Sequence, residues 1–127
     1  MAGDTEERRP EMREIKYRAK SNDGGWLYGI PYQTPLGNWI MRVADGSGHY
    51  IDPETIGEWT GLKDKNGKEI YEGDIVRYYD DIEDDLVDGV VSYKADYCSF
   101  AVETEKRAPE TWSAFWQFEV IGNIHQP

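Results

Sequence analysis

The sequence holds a single cysteine, Cys98, so no disulfide can form within the chain and the fold does not depend on an oxidising compartment. Cys98 lies in an alternating apolar run and reads as a small core residue. Histidine is nearly as scarce. His49 and His125, with one cysteine, suggest neither a zinc cluster nor a nucleophile–base pair, so no metal, no cofactor and no catalytic residue is expected. No apolar stretch approaches the ~18 residues of a membrane span. Met1 to Glu11 is polar and has no hydrophobic segment, so a secretory signal is not expected and a cytoplasmic location is. Runs of Ala, Leu and Glu that would announce long helices are missing. Positive charge is in short supply too: 14 Lys and Arg stand against 25 Asp and Glu, a formal net charge of −11. Such a chain repels a phosphate backbone unless its few bases gather on one face, so direct nucleic-acid binding is disfavoured.

What the chain has instead is aromatic side chains, nine Tyr and five Trp among 127 residues, a composition suited to pleated, half-buried surfaces. Period-two patterns recur along it. Ile15, Tyr17 and Ala19 alternate with charges; Trp26, Tyr28, Ile30 and Tyr32 alternate with smaller residues, with Pro31 marking a strand edge; Trp39 to Val43 and His49 to Ile51 follow after turns. Asp52-Pro53-Glu54-Thr55 has the cap and the proline of a single helical turn. Asp64-Lys65-Asn66-Gly67 is a tight turn with Gly67 at positive φ. Ile75 to Tyr79, Gly89 to Lys94, Cys98 to Val102, and the stretches 112–118 and 119–124 read as further extended pieces, 112–118 reading alternatively as a helical turn, with 103–111 as a charged loop. The reading is a mainly β protein of short antiparallel strands with little helix. A tail over 1–11 precedes one compact unit over 12–127, made of an N-terminal meander (12–62) and a C-terminal small barrel of SH3-like type (63–127).

The run Thr60-Gly61-Leu62-Lys63-Asp64-Lys65-Asn66-Gly67-Lys68-Glu69-Ile70-Tyr71-Glu72-Gly73-Asp74-Ile75-Val76 resembles the YopX-like family of phage and prophage proteins. Supporting matches are Met12 to Ala19, Ile51 to Gly57 and Phe118 to Ile124, so the resemblance spans nearly everything after residue 11. It implies a temperate phage or prophage origin in a bacterium, hence a bacterial cytoplasm, and it implies no enzymatic activity. Its motif residues here are Thr60, Gly61, Leu62, Asp64, Asn66, Gly67, Ile70, Tyr71, Glu72, Gly73 and Asp74.

The Asp64 turn begins like a calcium loop but fails as one, because Glu69 stands where glycine is required and Ile75 where a bidentate glutamate is required. Six carboxylates crowd Asp80, Asp81, Glu83, Asp84, Asp85 and Asp88 into a segment with no base, which reads as an extended, exposed, self-repelling loop. An aromatic cleft over the barrel is drawn from Tyr78, Tyr79, Tyr93, Tyr97, Trp112 and Trp116, the two tryptophans reading alternatively as core. The partner-binding candidates are thus Tyr78, Tyr79, Asp80, Asp81, Asp84, Asp85, Trp112 and Trp116. The leading expectation is a non-enzymatic binding module for a protein partner, which includes a homo-oligomer. The alternatives are an acidic nucleic-acid mimic displaying Asp80 to Asp88 and a nucleic-acid-binding SH3-like barrel.

Overall fold

The computed structural model describes residues 14–105, 110–111 and 117–126. The expected tail over 1–11 lies outside the described residues, as do Trp112 and Trp116. Among the described residues the chain forms eleven strands, all paired antiparallel, in two sheets. The first sheet takes β1 (Tyr17–Lys20), β2 (Trp26–Gln33), β3 (Trp39–Arg42), β4 (Gly48–Tyr50), β5 (Gly57–Lys63) and β6 (Glu69–Tyr71) in the order β4-β3-β2-β1-β5-β6. The second takes β7 (Asp74–Asp80), β8 (Asp85–Lys94), β9 (Ser99–Glu103), β10 (Glu110–Thr111) and β11 (Glu119–Asn123) in the order β10-β9-β8-β7-β11. Among the described residues the helical elements are two three-residue 3₁₀ turns, Pro53–Thr55 and Ala95–Tyr97. Asp52 caps the first as its sequence anticipates, its side chain accepting from Glu54 N–H at 3.0 Å.

Four expectations are corrected. The C-terminal half is not a closed SH3-like barrel: among the described residues its sheet is open, with β10 and β11 at the edges. Residues Glu69–Tyr71, assigned from sequence to that barrel, instead pair with β5 and complete the first sheet. Glu110–Thr111, read as loop, pairs with β9. Pro31 does not place β2 at the sheet edge. The first half of β2 pairs with β1 as far as Gly29, opposite Tyr17, and the second half pairs with β3 from Ile30 to Gln33. Pro31 therefore sits where β2 has one neighbour, and its missing N–H interrupts no second ladder.

Each sheet has its own core. Ala19, Met41 and Ile51 are buried on one face of the first sheet, with Tyr17, Leu27, Trp39, Val43 and Ile56 packed around them. The bridge Ser21↔Ile51 ties the end of β4 back to β1, so this sheet curls around that cluster. Val76, Tyr78, Val91, Val102 and Phe118 form the second core, and Ile70 from β6 enters it. Cys98 does not join either core. It is exposed, in the left-handed conformation at φ 50°, and closes the 3₁₀ turn through its N–H to Ala95 O. Phe100 and Val102, in the same alternating run, are buried as expected.

Candidate functional site

The motif from Thr60 to Asp74 is a joint between the two sheets. The Thr60 hydroxyl, nearly buried, donates to Ile70 O at 2.8 Å and accepts from Leu62 N–H, which clamps β5 to β6 across an irregular register. The Asp64 carboxylate then closes the turn: Oδ1 accepts from the N–H groups of Asn66 and Lys68 at 2.8 and 2.9 Å. Its other oxygen, Oδ2, accepts from Val120 N–H on β11 at 3.0 Å, and Lys65 N–H donates to Phe118 O. One side chain thus shapes a local turn and fastens it to a strand 56 residues away. Burial alone would raise the Asp64 carboxyl, but the donations from Val120, Lys68 and Asn66 hold it below the ordinary carboxylate value.

Gly67 has φ 84°, as the turn chemistry predicts, and a Cβ there would meet no neighbour within 4 Å. Backbone conformation alone therefore demands glycine. Gly67→Val is expected to cost about 1–2 kcal/mol of stability, whereas Gly67→Asn, which tolerates positive φ, should cost less. Equal melting temperatures for wild type and Gly67→Val would refute this account.

Beyond the turn, Tyr71, Glu72, Gly73 and Asp74 stitch the sheets together. Gly73 N–H donates to Val91 O, and Gly73 O accepts from Ile124 N–H. Glu72 accepts weakly from Tyr93 N–H at 3.3 Å. Asp74 is 1% exposed; its Oδ1 takes Arg18 Nη2 at 2.6 Å and its Oδ2 takes Tyr71 N–H at 2.8 Å. Burial, opposed by the Tyr71 N–H and by Arg18, raises the Asp74 carboxyl above its ordinary value. The Arg18 guanidinium lies between two rings, 4.7 Å from the Trp26 centroid and 4.9 Å from that of Tyr71. Among the described residues Arg18 Nε has no acceptor, and the two ring faces supply the negative potential that offsets its burial. Burial and a hydrogen bond to Glu69 raise the Tyr71 phenol. Lys16 pairs with the same Glu69 at 2.6 Å and sits 4.8 Å from the Trp59 ring. The C-terminal segment closes this region: Trp26 Nε1 donates to Gln126 Oε1 at 2.7 Å, and the His125 ring meets that of Trp26 at a tilt of 56°. In this network the side chains of Thr60, Asp64 and Asp74 are engaged by backbone groups and by Arg18, and Tyr71 by Glu69, which suits an architectural part for the motif.

The acidic segment is largely a hairpin and not the extended loop expected. β7 and β8 pair from Ile75↔Val90 to Asp80↔Asp85, leaving only Asp81 to Asp84 in the turn. Asp80 is buried, and its Oδ1 caps the turn by accepting from the N–H groups of Ile82 and Glu83. Asp88 faces a base after all: Arg77, directly opposite on β7, gives it two hydrogen bonds at 2.8 and 3.1 Å. That bidentate pair, through its hydrogen bond first, lowers the Asp88 carboxyl below its ordinary value. The exposed display thus shrinks to Asp81, Glu83, Asp84 and Asp85 around Ile82 and Leu86, which are 77% and 58% exposed. Asp81→Asn with Asp84→Asn and Asp85→Asn is expected to keep the fold and leave the melting temperature unchanged or slightly higher, through relief of like-charge repulsion. Asp80→Ala, which strips the cap from two N–H groups, should cost about 1–2 kcal/mol.

The expected aromatic cleft does not assemble from the described tyrosines. Tyr78 is a core residue, 3% exposed, with its ring edge against Phe118 at 5.3 Å. Its neighbour Tyr79 points to the opposite side of β7, where its hydroxyl donates to Asp84. Tyr93 packs on Phe100, and Tyr97 is exposed in the second 3₁₀ turn.

An aromatic surface does exist, on the other sheet. Trp26, Tyr28, Ile30 and Tyr32 alternate along β2 and share a face with Arg18, Lys20, Ile40, Arg42 and Tyr50, as the registers Arg18↔Tyr28, Ile30↔Arg42, Tyr32↔Ile40 and Ile40↔Tyr50 show. One end of this face, at Arg18 and Trp26, is covered by the joint. Tyr28 marks the boundary: its ring lies 5.8 Å from that of Tyr71, yet it is 48% exposed, and beyond it Ile30, Tyr32 and Tyr50 are 48%, 37% and 59% exposed. Gly48 on β4 leaves room for it: a Cβ there would come within 2.9 Å of Ile40 Cγ2 and 3.3 Å of the Tyr32 hydroxyl. The Arg42 guanidinium lies 5.6 Å from the Tyr32 centroid. Every Lys, Arg, Asp or Glu within β1 to β4 is a base, namely Arg18, Lys20 and Arg42. Sequence reasoning did not single out Tyr28, Ile30, Tyr32, Arg42 and Tyr50 as candidate functional residues. The signal was there: in Trp26 to Tyr32 both alternating sets are apolar or small, so a core on one side leaves the aromatic set on the other to find separate cover.

Two antiparallel sheets joined by a buried ion pair, with an aromatic and basic face left open on one of them, define a mainly β protein built around a single inter-sheet joint. The family model described as YopX protein matches residues 8–127, and the chain belongs to that family. No match to a curated protein is found. Among the described residues no helix is long and apolar enough to cross a membrane.

Proposed function

We propose that the chain is a phage- or prophage-encoded, non-enzymatic binding module that engages a protein partner through the open face of its first sheet. The observation that carries this reading is the contiguous set Tyr28, Ile30, Tyr32, Tyr50 and Arg42, exposed side by side. Tyrosine and arginine around a fixed apolar centre are the residue types that dominate binding energy at protein interfaces. Tyrosine presents a large, stiff, amphipathic ring and loses little side-chain entropy on contact. The motif does not compete for this role, because its Asp64, Tyr71 and Asp74, with Arg18 of β1, are engaged in holding the sheets together.

Capture from bacterial lysate with quantitative mass spectrometry, run side by side with wild type and Tyr28→Ala/Tyr32→Ala, tests the reading. The double variant replaces exposed side chains and should stay folded while losing most of the specifically captured protein. An unchanged captured set would remove this face from consideration.

A further inference from the structure

The open face and the acidic hairpin have complementary chemistry, and they stand on different sheets of the same chain. The face offers three tyrosine rings and Ile30 with Arg42 among them. The carboxylates nearest its covered end are already matched, Asp74 with Arg18 and Glu69 with Lys16. The hairpin tip offers the converse: Ile82 and Leu86 project into solvent amid the exposed acids Asp81, Glu83, Asp84 and Asp85. Aliphatic side chains exposed to this degree within a run of acids are not needed to close a four-residue turn, since Asp80 does that with its own carboxylate.

We propose that the partner of the face is the β7–β8 hairpin tip of a second copy of the chain. This rests on the reading that the face docks protein. Ile82 and Leu86 of one copy cover the tyrosines and Ile30 of the next, and Asp81 to Asp85 meet Arg42. A two-fold pair in which the face met itself is opposed by charge, because it would bring Arg42 against a surface whose strand charges are all positive. The contact is therefore between unlike surfaces, head-to-tail, and a pair joined this way retains one open face on one copy and one open tip on the other for further growth. At roughly 200 Å² per side chain, the four exposed face residues leave on the order of 400 Å² to be covered. That is about half of the ~800 Å² per partner in a standard stable interface, so the association is weak and reversible. Like net charge on the copies opposes approach, but the Debye length of about 8 Å at physiological salt confines that repulsion to near neighbours.

Sedimentation of the full chain over a wide concentration range tests the proposal. Mass should rise with concentration in wild type. Arg42→Glu and, separately, Ile82→Ser/Leu86→Ser should each weaken association roughly tenfold or more, while circular dichroism shows the fold retained. A mixture of the two variants should recover association but stop at a heterodimer, since only one functional face and one functional tip remain between them. A wild type that is monomeric throughout would overturn the proposal, as would an association that either variant leaves intact. A monomeric chain whose face still captures another protein in the Tyr28→Ala/Tyr32→Ala comparison would reject self-docking and keep the protein-docking reading. A monomeric chain without face-dependent capture would reject both. Binding of single-stranded oligonucleotide to the face, lost in Arg42→Glu, would assign the surface to nucleic acid instead and overturn this proposal.

Discussion

Arg18→Met is expected to destabilise the protein by about 3–5 kcal/mol, because it leaves the Asp74 carboxylate buried without its counter-ion. Arg18 and Asp74 side chains are 7% and 1% exposed, so water cannot replace the lost partner. Asp74→Leu should be damaging for the reciprocal reason, and in addition it strands the Tyr71 N–H that Oδ2 accepts. The double variant Arg18→Met/Asp74→Leu should be less destabilised than the sum of the singles, since no uncompensated charge remains. It should still fall short of wild type by about 1–3 kcal/mol for the orphaned Tyr71 N–H. Urea denaturation of the four proteins measures this as a coupling energy. Strict additivity would mean that the 2.6 Å pair contributes nothing to the joint. The pair is not expected to raise stability above that of a well-packed apolar substitute; what it supplies is a fixed register between β1 and β7, enforced by the cost of breaking it.

The second large effect is at Asp64. Its two oxygens accept from three backbone N–H groups, two within the turn and one on β11. An asparagine can keep only one oxygen as acceptor and must aim its NH₂ at an N–H on the other side. Asp64→Asn is therefore expected to cost about 1–3 kcal/mol, close to the penalty for a stranded donor. The pH dependence follows from the same contacts. Because the folded-state carboxyl sits below its ordinary value, its contribution is present at neutral pH and lost as pH falls below about 4. Wild type should lose stability on acidification in this range, and Asp64→Asn should lose less over the same interval. Parallel acid limbs for the two proteins, measured by chemical denaturation at stepped pH, would show that the carboxylate is not held by these donors.

Much of the fold was legible in the sequence, and the reasons are local. Alternation at Tyr17, Ala19, Trp26 to Tyr32 and Ile75 to Tyr79 reports strands, because successive side chains on a strand leave by opposite faces. Asp52 with Pro53, and Asp64 with Asn66-Gly67, report a cap and a turn, because the groups they satisfy are two to four residues away. The candidate site was legible only in part. The acidic segment was visible as charge, but its hairpin was not: the ladder that pairs Asp80 with Asp85 and Arg77 with Asp88 depends on register, and the run of carboxylates concealed it. Tyr78 and Tyr79 are adjacent in sequence, and only the placement of Phe118 decides which of them is core.

Composition and local pattern, then, determined that this is an acidic, mainly β chain with its turns at particular residues, since those properties arise from contacts between near neighbours and from the period of the strand. Tertiary structure alone decided the rest. It joined Arg18 to Asp74 across 56 residues, carried Glu69–Tyr71 into the first sheet, put Cys98 outside the core, and covered one end of the β2 aromatic face while leaving the other open. An alternating strand states that it has two faces. Which of them is buried depends on what the rest of the chain brings against it, and that is a property of packing between elements distant in sequence.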